Sequence, residues 1–150
     1  MVKECRIYLK IVKECRMIGK VDIKTSSRVE FQEITSQVRD IVERSGIESG
    51  VCHVYVPHTT AGVLINEHAD PDVVDDIASQ LEAMVPQRRN YRHSEGNSAA
   101  HIKASLIGSS CTVFIEYGSL VLGTWQGIFF GEFDGPRSRN FLVKIVRDSA

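Results

Sequence analysis

The chain has 150 residues, 43% of them hydrophobic and 25% charged, and a formal net charge of -1. This is the length and balance of one ordinary globular domain, large enough to bury a core without metal or disulfide staples. The near-neutral charge gives no electrostatic case for a nucleic-acid partner, and no apolar run approaches the roughly 20 residues that span a bilayer.

The start, Met1-Val2-Lys3-Glu4-Cys5-Arg6, lacks the apolar stretch of a secretory signal, so a soluble, cytoplasmic protein is expected. Val2-Lys3-Glu4-Cys5-Arg6 recurs as Val12-Lys13-Glu14-Cys15-Arg16, too short an echo for a repeat architecture. Residues 1–16 read either as an N-terminal extension ahead of Met17 or as an extra edge strand.

Val21 and Ile23 alternate with charged residues and predict a strand over 19–25. Ile34, Val38, Ile41 and Val42 then take helical spacing, and Gly46 stands where that helix stops. Residues 51–57 are apolar at both parities, which suggests a strand buried on both faces, with His53 in the core. Thr59-Thr60-Ala61-Gly62 interrupts it before Val63-Leu64-Ile65 resumes.

Asp70-Pro71 opens the clearest helix, with Asp70 as N-cap and Val74, Ile77, Leu81 and Met84 as its apolar stripe. Residues 87–98 are polar, and a short helix is expected over 99–106. Strands over 111–115, 120–122, 125–133 and 141–146 complete the chain, with Asp134-Gly135-Pro136 as a turn. Strands grouped late and helices in the middle predict an α+β domain with a mainly antiparallel sheet or sandwich.

None of the four cysteines, Cys5, Cys15, Cys52 and Cys111, forms a C-x-x-C pair. Cys52 and Cys111 read as small core residues. The densest polar constellation runs from Tyr91 to His101 and holds His93, Glu95, Asn97 and His101. Imidazoles and carboxylates are ligands for zinc and related ions, but two histidines at this spacing need a third from elsewhere. His58, at the end of a predicted buried strand, is the natural candidate, against the plainer reading of a hydrogen-bonded structural histidine. The acids Glu67, Asp70, Asp72, Asp75 and Asp76 mainly complement the start of the following helix, and a magnesium-binding pair among them is the alternative. Arg88, Arg89, Arg92, Lys103, Arg137 and Arg139 are cations able to meet a phosphate. Trp125, flanked by glycines, could form a ligand wall, with Gln126 as an orienting amide.

Taken in order, several segments together resemble the YjbQ-like family, also called the secondary thiamine-phosphate synthase family. They are Pro57-His58-Thr59-Thr60-Ala61, Ile65-Asn66-Glu67 with Ala69-Asp70-Pro71-Asp72-Val73, Gly96-Asn97, His101-Ile102-Lys103-Ala104-Ser105-Leu106, and Leu122-Gly123-Thr124-Trp125-Gln126-Gly127-Ile128. The likeness extends from about Gly19 to Val146, so residues 17–150 read as one YjbQ-like domain. His68 stands where many relatives carry asparagine. Tyr117 stands where they often carry an acid.

The resemblance implies a compact β-rich sandwich with flanking helices, assembled as a homotrimer, with a histidine-lined site near the subunit interface. It implies that His58, His93 and His101 are metal ligands or acid/base groups, surrounded by Asn66, Asn97, Trp125 and Gln126. The activity implied is thiamine-phosphate synthase-like, joining a pyrimidine pyrophosphate to a thiazole phosphate, as a secondary activity. A divalent metal, zinc or else magnesium, would accompany it, with Lys103 or Arg137 on the phosphates. The alternatives are a metal-dependent hydrolase of a small phosphorylated metabolite and a non-catalytic trimer that binds a metal or small ligand.

Overall fold

The computed structural model describes residues 7–10 and 17–149. The echoed segments 2–6 and 12–16, with Cys5 and Cys15, lie outside the described residues. The larger of two sheets has six strands in the order β1 (Ile7–Lys10), β2 (Met17–Lys24), β9 (Ser138–Arg147), β4 (Ser49–Tyr55), β6 (Ser110–Glu116) and β7 (Ser119–Leu120). The smaller has β3 (Glu30–Glu33), β8 (Gln126–Glu132) and β5 (Ala61–Glu67). Every pairing is antiparallel, giving the α+β, β-rich sandwich that the sequence predicts.

Period-two alternation puts Val54, Phe141, Val143 and Ile145 of the larger sheet against Val63, Ile128 and Phe130 of the smaller one. Helix α1 (Thr35–Ser45) adds Val38, Ile41 and Val42 to the same core. Each such fully buried side chain contributes about 1.5–3 kcal/mol. α1 ends at Gly46, whose left-handed φ of 64° turns its N–H back to the Glu43 carbonyl. The other face of the small sheet carries Phe31 and Phe133, edge to face at 5.8 Å, under helices α2 (Pro71–Met84) and α3 (Ser98–Ile107).

Three expectations change. β4 is buried on one face only: Cys52 and Val54 face the core, whereas His53 and Tyr55 are exposed. Among the described residues nothing covers the outer face of the six-stranded sheet, and His53 Nδ1 there lies 3.0 Å from Thr112 Oγ1. Of the α2 stripe only Leu81 is buried, and Met84 is 59% exposed, because the two small-sheet aromatics reach only the helix's middle turns. Strand β3 is an addition: its Glu-Phe-Gln-Glu carries a single apolar residue, too few to show alternation. The Asp70 N-cap holds, its carboxylate accepting the Asp72 N–H. Cys52 is a core thiol as expected, whereas Cys111 is half-buried against the core. Burial pushes the two thiols up to about 12 and about 11, far from reactive thiolates.

Candidate functional site

The β4–β9 ladder ends at the Tyr55–Leu142 pair. Val56 then turns its N–H to the Ser109 carbonyl, and Pro57 has no N–H to offer. The next β9 residue that would face this strand, Asn140, is met by the His58 ring instead: Nε2 lies 3.1 Å from both its N and its O. One ring nitrogen serves one of these at a time. Protonated, Nε2 donates to the carbonyl and leaves Nδ1 bare; unprotonated, it accepts the N–H and Nδ1 carries the proton. Burial first, and the Arg139 guanidinium second, push the His58 pKa below its usual value, so the ring is neutral near pH 7.

An ion pair backs this loop. Arg139 donates through Nε and Nη2 to Glu132, at 2.9 and 2.7 Å, and through Nη2 to Thr60 Oγ1 at 2.6 Å. Thr25 and the Phe133 and Asp134 N–H groups complete the Glu132 acceptor sites. Both charged residues are buried, Glu132 completely. Burial would raise the Glu132 pKa, but these bonds outweigh it and hold the carboxyl below its usual range.

α3 brings His101 beside His58. The two line one cavity of about 400 Å³ with Thr59, Ala104, Ser105 and Ser109. On the other flank of His101, Tyr91, Arg92, His93 and Ile102 line a second hollow of about 410 Å³. The His93 and His101 rings meet edge to face, centroids 5.4 Å apart, and His93 Nε2 lies 3.6 Å from Glu95 Oε2. His101 is therefore the ridge between two hollows of one cleft. Asn97 precedes α3, accepts the Ala100 and His101 N–H groups on its carbonyl, and donates to Asp134.

The remaining predicted residues do not join this cleft. Asn66 sits five residues beyond Ala61 on β5, about 17 Å along the strand. Gln126 pairs with Glu67 at that far end, and Trp125 precedes it, 64% exposed. Lys103 is wholly buried and bonded to Glu82, which also takes Arg28, so it extends no arm to a phosphate. Arg137 is exposed but bound to the Asp134 carboxylate and carbonyl. Among the described residues no three of His, Cys, Asp and Glu are placed to hold a metal ion. His58 Nε2, spent on Asn140, fits that finding. The three histidines of one chain therefore do not fit a three-ligand metal site.

The family model described as "UPF0047 protein YjbQ-like" matches residues 19–148. The chain belongs to the YjbQ-like family. UPF0047 protein MJ1081 of Methanocaldococcus jannaschii is 51% identical over 89% of this chain and 96% of its own. UPF0047 protein YugU of Bacillus subtilis is 47% identical over 87% and 99%. A crystal structure of an uncharacterized family protein from Clostridium acetobutylicum superposes with a TM-score of 0.84 at 54% identity, covering 85% of this chain and 98% of that one. A YbjQ-like protein of unknown function from Sulfolobus solfataricus also gives 0.84, at 32% identity over 97% and 100%.

In this YjbQ-like chain, two constellations escaped the sequence reading. The Glu132–Arg139 pair left a signal, since Arg139 has the parity of Phe141, Val143 and Ile145 and so belongs to the core face. The second is at the far end of β5. There Glu33 Oε1 accepts the Thr35 hydroxyl at 2.9 Å and lies 3.0 Å from His68 Nδ1. His68 lies over Gly127, where a Cβ would come within 2.7 Å of the His68 Cβ and 3.0 Å of Glu33 Oε1. Thirty-five positions separate the partners, and only the β3–β8–β5 sheet brings them together.

Proposed function

We propose that this YjbQ-like protein is an enzyme acting on a small phosphorylated metabolite in the His58–His101 cleft, with the thiamine-phosphate synthase-like coupling as its secondary reaction. The observation that carries this reading is the neutral His58 ring sharing a cavity with His101. In the coupling the thiazole nitrogen attacks with its lone pair and has no proton to lose. The C–N bond forms as the C–O bond to pyrophosphate breaks, and the two imidazoles serve the departing pyrophosphate oxygen as proton or hydrogen-bond donors. Departure of pyrophosphate also needs positive charge. Arg92, in the hollow beside His93, takes the role foreseen for Lys103 and Arg137, which are engaged elsewhere. A zinc or magnesium ion at this cleft would require a ligand from a second copy.

A homotrimer is part of the same proposal. Ile18, Tyr55, Phe114 and Val146 are 43–64% exposed on the outer face of the six-stranded sheet, an apolar surface unusual for a monomer. Tyr55 pairs with Ser110, next to Ser109 of the cleft wall, so a second copy seated on this face would border the site.

The test couples the two thiamine precursors with wild-type protein, His58→Ala and His101→Ala, and measures bound metal on the same preparations. Loss of an acid/base imidazole should cut the rate by about 10²–10⁴-fold. Full activity in both variants sinks the histidine mechanism. Tight binding of a phosphorylated metabolite by wild type without turnover would instead make the protein a non-catalytic trimeric binding module.

A further inference from the structure

We propose that Glu33, His68 and Trp125 form a second binding site, at the opposite end of β5 from the histidine cleft, for a planar heteroaromatic amine without a phosphate. The His68 imidazole is held in place by a carboxylate. His68 Nδ1 donates to Glu33 Oε1, so the neutral ring presents Nε2 as an acceptor. The carboxylate is itself held: the Thr35 hydroxyl donates to it, and Thr35 Oγ1 accepts the Ile128 N–H at 2.9 Å. This chain of bonds runs from a buried strand to the dyad and sets both its geometry and its polarity. The absence of a side chain at Gly127 makes room for the pair.

The neighbours suit a flat ligand. The His68 backbone N–H donates to the Trp125 carbonyl at 2.9 Å, so the exposed tryptophan is paired through its backbone with the histidine of the dyad. An indole left in solvent next to a fixed polar group is a stacking wall for a π system. Asn66 lies two residues before His68, on the same face of β5. Its Oδ1 accepts the Glu67 N–H, which leaves its NH₂ to donate. The edge therefore asks for a ligand that both donates, to His68 Nε2, and accepts, from Asn66. Glu33 lies in the site, and Glu67, Asp70 and Asp72 follow or precede His68 within four residues of sequence, an acidic neighbourhood that disfavours a phosphate and suits a neutral or cationic ring.

Trp125 is the single tryptophan of the chain, so its fluorescence reads this site alone. The full-length protein is titrated with 9-methyladenine, which stacks, donates and accepts, and with 9-methylpurine, which has no N–H to give. Saturable quenching by 9-methyladenine is expected, with 9-methylpurine weaker by about tenfold, the loss of one hydrogen bond. His68→Ala should weaken 9-methyladenine by a similar factor, while His58→Ala leaves it unchanged. Glu33→Gln keeps an acceptor for Thr35, so it preserves the fold while altering the imidazole's anchor. It should lower the preference for 9-methyladenine over 9-methylpurine. No saturable quenching at millimolar probe, equal binding of the two probes, or full affinity in both His68→Ala and Glu33→Gln overturns the proposal. Adenosine monophosphate binding more tightly than 9-methyladenine overturns its phosphate-free part.

Discussion

Glu132→Ala is the sharpest test of how the cleft is supported. The substitution removes a completely buried carboxylate and leaves the Arg139 guanidinium, 8% exposed, with Thr60 as its remaining side-chain partner. Breaking a buried pair on one side costs about 3–5 kcal/mol, because the surviving charge stays desolvated. A domain holds only about 5–15 kcal/mol in total. At about 2–4 °C per kcal/mol for this chain length, the melting temperature should fall by about 6–20 °C. Urea and thermal unfolding followed by far-UV circular dichroism measure it. Glu132→Leu combined with Arg139→Met should recover much of the loss, since neither charge is then stranded. A penalty below about 1 kcal/mol for Glu132→Ala, or a double variant no better than the single one, would refute the argument. The pH dependence has a definite sign. The folded carboxyl lies below the ordinary glutamate value of 4.5, so the unfolded chain binds the proton more readily. The pair's contribution is complete above that value and is lost as pH falls through the depressed folded pKa.

Lys103→Met should fold with a loss below about 1.5 kcal/mol, because it keeps the volume of a buried side chain and leaves Glu82 its Arg28 partner. It should also leave phosphate-ligand affinity unchanged by calorimetry. A selective loss of that affinity would return Lys103 to the site. Phe114→Glu places a charge at a position 64% exposed, where the monomer fold tolerates it. The proposed trimer should dissociate toward monomer in light scattering, and an unchanged mass would rule out this sheet face as the interface.

Most of the fold was legible because it rests on local signals. Asp70-Pro71 announces α2, Gly46 ends α1, and alternating apolar residues mark β2 and β9. β4 misled because Val51 and Tyr55 look like core at the wrong parity; whether a sheet's second face is covered is decided by the whole molecule. The cleft was half legible. His93 and His101 share nine residues of sequence, and His58 does reach the same cleft. The engagement of Lys103 by Glu82, and of Arg137 by Asp134, depends on how helices and turns dock. Residue type alone makes each of them a free cation. The Glu33–His68 pair had no sequence signal beyond an unusual histidine.

The sealing of the β5 edge carries a consequence for behaviour in concentrated solution. The Val63 N–H bonds the Gly108 carbonyl at 3.1 Å, and a Cβ on Gly62 would sit 2.6 Å from that same oxygen. A side chain at position 62 would push the loop off the strand and bare the Val63 backbone donor on the open edge of β5. An uncovered edge strand is a template for a passing chain to add itself as a strand. At the other sheet the terminal strand β7 is only two residues long, which offers little to copy. Gly62 thus guards against aggregation, and its replacement should show first as turbidity on storage rather than as a lower melting point.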